Sequence, residues 1–141
     1  MNINMNIFRF TLPFITCILI IFWYSRFRCI NPKFVDPLET PIISIIDGWS
    51  LTHLFFFMFI GYTSPYLFVL ALIYGIIWEI FEAYSGKYKP NFIYGFGNCR
   101  RKSEIISDSD KWWYGKWSDI FMNSLGYLIG QYIKVGKIII F

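Results

Sequence analysis

The chain has 141 residues, which sets one domain as the limit. Apolar residues make up 56%, charged residues only 16% and aromatics 23%, a composition too apolar for an ordinary soluble domain. The net charge of +4 comes without an Arg-rich helix, zinc-finger spacing or RNP-type motif. It therefore reads as Lys and Arg flanking membrane segments, and nucleic acid is excluded as a partner.

Four apolar runs approach the roughly 20 residues that cross a bilayer core. The first covers about 7–24, led by Arg9 and closed by Arg26 and Arg28. A signal peptide competes with an anchor helix here, but the run ends in Trp23-Tyr24 with no small-x-small cleavage site. A retained helix is expected, with Pro13 near its start and no acid or histidine in it. It reads as wall and not as site. Asn31 to Pro41 is a linker broken by Pro32, Pro37 and Pro41, with Asp36 and Glu39 keeping it in water.

The second run, 42–62, is interrupted at Asp47-Gly48. The expectation is that Ile42–Ile46 lies at the interface and that a short helix follows, with Asp47 or Ser50 near its N-cap. Ser50, His53, Phe57 and Gly61 then form one stripe at helical spacing. Thr63-Ser64-Pro65 is a tight uncharged turn, which predicts that the second and third spans are antiparallel neighbours. The third span, 65–84, carries Ala71, Gly75, Glu79 and Glu82 on one face.

A polar loop, 85–116, separates the third span from the fourth. Trp112, Trp113, Tyr114 and Trp117 at its end read as an interfacial aromatic belt. The fourth span, 117–137, aligns Asp119, Asn123, Gly126 and Gly130. Its Gly-x-x-x-Gly spacing lets helices approach closely in lipid. The predicted architecture is all-α, a single membrane domain of about four transmembrane helices. The three cysteines, Cys17, Cys29 and Cys99, build no disulfide framework or metal motif. Cys29 reads as a plain free thiol, with palmitoylation the lesser alternative.

All nine acidic residues and the single histidine fall on loops or helix ends at one face of this bundle. An acid inside a span costs about 2.5–3.5 kcal/mol on insertion scales, so Glu79 is a functional candidate. His53, Glu79 and Asp119 are the candidate catalytic residues. Asp47, Ser50, Glu82 and Asn123 are the candidate binding residues. The bland alternative is that these groups only hold helices together, and for Asn123 taken alone it is the better reading. His53 is balanced between the two. One histidine excludes any site that needs two. H-E-x-x-H, G-x-S-x-G, Walker and Cys-His signatures are missing from the sequence. The reaction, the cofactor and the presence of a metal stay open. If a metal binds, a carboxylate-rich set with one imidazole favours Mg²⁺, Mn²⁺ or Ca²⁺ over zinc.

The stretches Asp47-Gly48-Trp49-Ser50-Leu51-Thr52-His53, Trp78-Glu79-Ile80-Phe81-Glu82 and Ser118-Asp119-Ile120-Phe121-Met122-Asn123-Ser124-Leu125-Gly126 resemble the VanZ-like membrane proteins. They are more similar still to a bacterial multi-pass family of unassigned function with D-W-x-S-x-S-H, W-E-x-x-E-N and D-S-x-x-N-S elements. The resemblance runs from about Asp47 to Gly130. Two positions depart from that pattern: VanZ-like proteins tend to have Gln where this chain has Glu82, and an Arg before the final motif, for which Arg100 and Arg101 are the candidates here. The resemblance implies an integral multi-pass membrane protein without a settled reaction. The bilayer is the expected partner, a lipid or polyprenyl headgroup the expected substrate or ligand, and a non-catalytic scaffold or assembly protein the alternative. Residues 25–47 and 85–116 hold ten of the 13 Lys and Arg, which predicts that both long loops are cytoplasmic.

Overall fold

The computed structural model describes residues 3–31, 34–88 and 113–140. Its chain is mostly helical: α1 Ile3–Ile30, α2 Gly48–Thr63, α3 Phe68–Tyr88 and α4 Trp117–Val135. Two of these helices, over Ile7–Arg28 and Phe68–Tyr88, are long and apolar enough to cross a membrane. The loop residues from 89 to 112, among them Arg100, Arg101, Lys102 and Trp112, lie outside the described residues, as do Cys99 and the side chain of Cys29.

The region before α2 departs from an all-helical reading. Pro41–Ile43 (β1) and Ile46–Asp47 (β2) pair as a small antiparallel hairpin. Three β-branched isoleucines there disfavour helix, and the Asp47-Gly48 step ends the strand. Asp47 then caps α2, its side chain accepting from the Ser50 N–H. A short 3₁₀ turn, Pro37–Glu39, precedes the hairpin and is capped by Asp36.

The short turn between α2 and α3 makes them neighbours in sequence, yet the closest helix pair is α2 with α4. The expected contact of α2 with α3 is present, Phe57 lying against Gly75, but the α2–α4 seam is the more extensive, and the reason is glycine. A Cβ at Gly126 would run into the Leu54 carbonyl oxygen, and one at Gly130 into that of Met58. From the other side, a Cβ at Gly61 would meet the Tyr127 carbonyl oxygen. Backbone therefore lies on backbone along the whole seam, and the close approach adds dispersion contacts between the two helices. Helix α3 lies against the pair through Ala71, Gly75 and Glu79, all buried.

Helix α1 packs outermost. Phe10 and Phe14 insert among Phe56, Phe57 and Tyr74, with ring centroids 4.9 to 5.7 Å apart. These rings, Ile60, Ala71 and Tyr127 make the main core. A second core surrounds Trp113, which packs on Trp78 and Phe81. Trp113 is 1% exposed while Trp117 is 86% exposed, so the expected aromatic belt divides. Trp117 faces outward, and Trp113 is a plug, seated where Gly86 leaves space for its carbonyl.

Candidate functional site

Three helices converge at the pole where α2 begins, α3 ends and α4 begins. Asp119 occupies the first turn of α4 and is buried. The Ser50 hydroxyl donates to its Oδ1 and also contacts Asp47 Oδ1, at 3.1 Å. One turn further along α4, Asn123 Oδ1 lies 2.9 Å from Nδ1 of His53. Glu79 approaches from α3, with Oε1 3.8 Å from the same ring nitrogen. The structure thus brings His53, Glu79, Asp119 and Asn123 into one cluster, with Ser50 and Asp47 at its edge.

One donor atom each from His53, Glu79 and Asp119 lies within 4.8 Å of the others. Such a set can share a proton or surround a small cation. A cleft opens beside it, lined by His53, Asp119, Glu82, Trp49, Trp113 and Tyr114, together with Ile21 of α1. It leaves about 20 Å³ for water centres, room for about one water. Glu82 is half-buried on this lining and is not simply solvated.

The pole is closed by the four residues that precede α4. The Lys116 N–H donates to Glu79 Oε2 at 2.9 Å, and its ammonium pairs with Asp47 Oδ2. The Tyr114 hydroxyl donates to the same oxygen at 3.2 Å. Burial pushes the Asp47 carboxyl up, but Lys116 and the two Ser50 donors outweigh it, and the net shift is downward. Burial and the neighbouring Asp47 charge raise the Tyr114 phenol. Gly115 permits this closure: a Cβ there would collide with the Glu79 carbonyl oxygen.

Lys116 falls in the predicted polar loop and Tyr114 in the predicted aromatic belt, and neither is singled out there as a site residue. The available signal was their position: a cation three residues before Asp119, at the mouth of the last helix. Asp36 was missed as well. It is not in water but 2% exposed, accepting from the Tyr24 hydroxyl at 2.8 Å, the Leu38 N–H at 2.9 Å and Trp49 Nε1 at 3.1 Å. Arg28 lies 3.9 Å from it and 3.2 Å from Glu39. The C-terminal end of α1 therefore is more than wall, since Tyr24 and Arg28 fasten the linker beneath the cleft.

Oε1 of Glu79 and Nδ2 of Asn123 are buried here without a hydrogen-bond partner among the described residues. The space beside the amide is provided by Gly75, where a Cβ would lie 2.8 Å from Nδ2. Comparison of the chain with protein-family models, with curated proteins and with solved structures returns no match.

Proposed function

We propose that this is a multi-pass, VanZ-like membrane protein in which all four helices cross the bilayer. The polar pole, on this reading, binds or acts on a lipid or polyprenyl headgroup. Every helix carries large apolar side chains on its outer surface: Leu19 and Trp23 on α1, Phe55 and Phe59 on α2, Ile77 and Ile80 on α3, Phe121 and Ile133 on α4. An apolar exterior on all sides suits hydrocarbon as the surrounding solvent. The short α2 is about 24 Å long by helical rise, and the Ile-rich hairpin at its start lies at the interface.

The observation that carries the headgroup reading is the convergence of His53, Glu79 and Asp119 from three helices at one pole, beside a cleft. Ionisable groups placed within apolar helices are expensive, and they are retained where they do work. The cationic residues 25–47 and 85–116 put this pole at the cytoplasmic surface by the positive-inside rule. The roles follow the geometry: His53, Glu79 and Asp119 meet the headgroup, Asn123 orients the His53 ring, and Ser50 holds Asp119.

A lipidomic comparison of cells with the protein, without it and with His53→Gln tests this reading. One lipid or polyprenyl class should shift with the wild type and not with the variant. Identical profiles in all three would remove the headgroup reading. The scaffold alternative draws on the Ser50–Asp119 and His53–Asn123 pairings, which fasten α2 to α4. It requires the variant to fail in assembly rather than in lipid chemistry.

A further inference from the structure

We infer that the loop pole is a divalent-cation site of the Mn²⁺ or Mg²⁺ kind, held by His53, Glu79 and Asp119. The site stands on geometry alone; only the use of the cation on a headgroup phosphate rests on the function proposed above.

Three observations lead to it. The first is spacing. Metal–ligand bonds of about 2.0–2.4 Å place donor atoms about 3–4.5 Å apart around one ion. One atom each of His53, Glu79 and Asp119 falls within 4.8 Å of the others. The second is the unused donor. Glu79 is 5% exposed, and its Oε1 is buried with no hydrogen-bond partner, while its Oε2 is held by the Lys116 N–H. A carboxylate fixed by one oxygen and without a hydrogen bond at the other is a half-filled coordination position; with the His53 Nδ1–H donated to Asn123 Oδ1, the ring nitrogen left to ligate is Nε2. Leaving such a group unsatisfied in an apolar surround is costly.

The third is charge. Among the described residues, Glu79 and Asp119 of the cluster and Glu82 of the cleft wall are three carboxyl groups gathered together, while the Lys116 ammonium is spent on Asp47. A divalent ion is the partner that offsets carboxylates gathered in this way. Donor chemistry selects the ion: one imidazole against a carboxylate majority disfavours the soft, nitrogen- or thiolate-rich sites of zinc and copper. The surrounding side chains fit as supports. Asn123 Oδ1 fixes the His53 ring and the Ser50 hydroxyl fixes Asp119, the arrangement that orients metal ligands elsewhere. The cleft of about 20 Å³ admits a water or one oxygen of a phosphate to the open side of the ion.

The test is Mn²⁺ titration of the full chain in nanodiscs of neutral phosphatidylcholine, read by electron paramagnetic resonance and by thermal unfolding. One Mn²⁺ per chain should bind, Mg²⁺ should compete for it, and the unfolding midpoint should rise with Mn²⁺ concentration. Glu79→Gln and Asp119→Asn should each abolish stoichiometric binding. Asn123→Ala, one step removed from the ion, should weaken it about 10- to 100-fold. Glu39→Gln, outside the cluster, should leave it intact. Folded wild-type protein that takes up no Mn²⁺ at 1 mM (about 4 kcal/mol of affinity) overturns the inference, whatever the variants do. So does binding that survives Glu79→Gln. Adding a polyprenyl phosphate separates the two claims. Mn²⁺ binding without phosphate-lipid binding keeps the site and ends the headgroup reading; phosphate-lipid binding unchanged by EDTA ends the cation's part in it.

Discussion

The two poles of the bundle are both polar, and they differ in one respect. At the turn pole, the Tyr127 hydroxyl donates to the Ser64 carbonyl and accepts from the Leu67 N–H at 2.8 Å. Gln131 donates to the carbonyls of Pro65 and Ile139 and accepts from the Ile139 N–H at 2.8 Å. These side chains satisfy backbone groups that a tight turn and a chain end leave open, which is what buried polar side chains ordinarily do. At the loop pole, carboxylates face carboxylates, and Glu79 Oε1 and Asn123 Nδ2 have no partner. The first network is closed and serves the fold. The second is open among the described residues, and an open network of this kind is where the proposed ligand would act.

The seam that joins the poles is the place to break both at once. Gly130→Leu would drive a side chain into the Met58 backbone, and neither helix can yield without losing its neighbour. A loss of about 3 kcal/mol or more is expected, read as failure of the chain to unfold cooperatively in detergent. A variant as stable as wild type would show that α2 and α4 do not meet as described. Gln131→Leu tests the closed pole by itself. It strands the Ile139 N–H and the Pro65 carbonyl, costing about 1–3 kcal/mol, and it leaves the loop pole's function untouched. Glu79→Gln tests the open pole and should do the opposite. The amide keeps an acceptor for the Lys116 N–H and discharges an expensive buried group. Stability should stay within about 1 kcal/mol of wild type, while the pole loses its function. A large fall in stability with Glu79→Gln would make this pole structural too, and the contrast would disappear.

What was legible in the sequence depended on how local the cause was. The stripe of Asp119, Asn123, Gly126 and Gly130 follows from helical period alone, and the structure buries all four. The Asp47 cap follows from one residue and its position. The α2–α4 pairing was not legible from the turn at 63–65, because connection length fixes proximity in sequence and says little about surface. The surface that mattered was glycine against carbonyl, and only the fold brings Gly61 opposite Tyr127. Trp113 and Asp36 show the same limit from two sides: an aromatic beside a polar loop and an acid among prolines both look exposed. Each is buried by a residue far from it in the chain, Gly86 for one and Tyr24 for the other. Gln131 gave no signal at all, since one amide in a glycine-rich helix has no pattern to belong to.

The smallest effect expected is a pH dependence at the rim of the open pole, and its sign can be worked out. Asp47 lies outside the helices, as the cap of α2, and is held below its ordinary value of 3.8. Burial opposes that shift, and the Lys116 ammonium with the Ser50 N–H and hydroxyl more than overcomes it. A carboxyl whose folded value is depressed takes up protons less readily folded than unfolded. It therefore contributes stability that is complete above about pH 4 and is lost as pH falls through the lower folded value. Removing that charge also frees Lys116, whose backbone N–H holds Glu79, so the rim loosens before the glycine seam does. Thermal unfolding recorded from pH 6 down to pH 3 should show a midpoint that falls at the acid end in wild type and falls less in Asp47→Asn, which already lacks the charge at neutral pH. Among the described residues the closed pole has no aspartate, glutamate or histidine, and Gln131→Leu should shift the curve down without changing its shape. Parallel curves for wild type and Asp47→Asn would mean that Lys116 does not close the pole through Asp47, and that the strap of residues 113–116 is fastened by Trp113 and by the Lys116 N–H on Glu79.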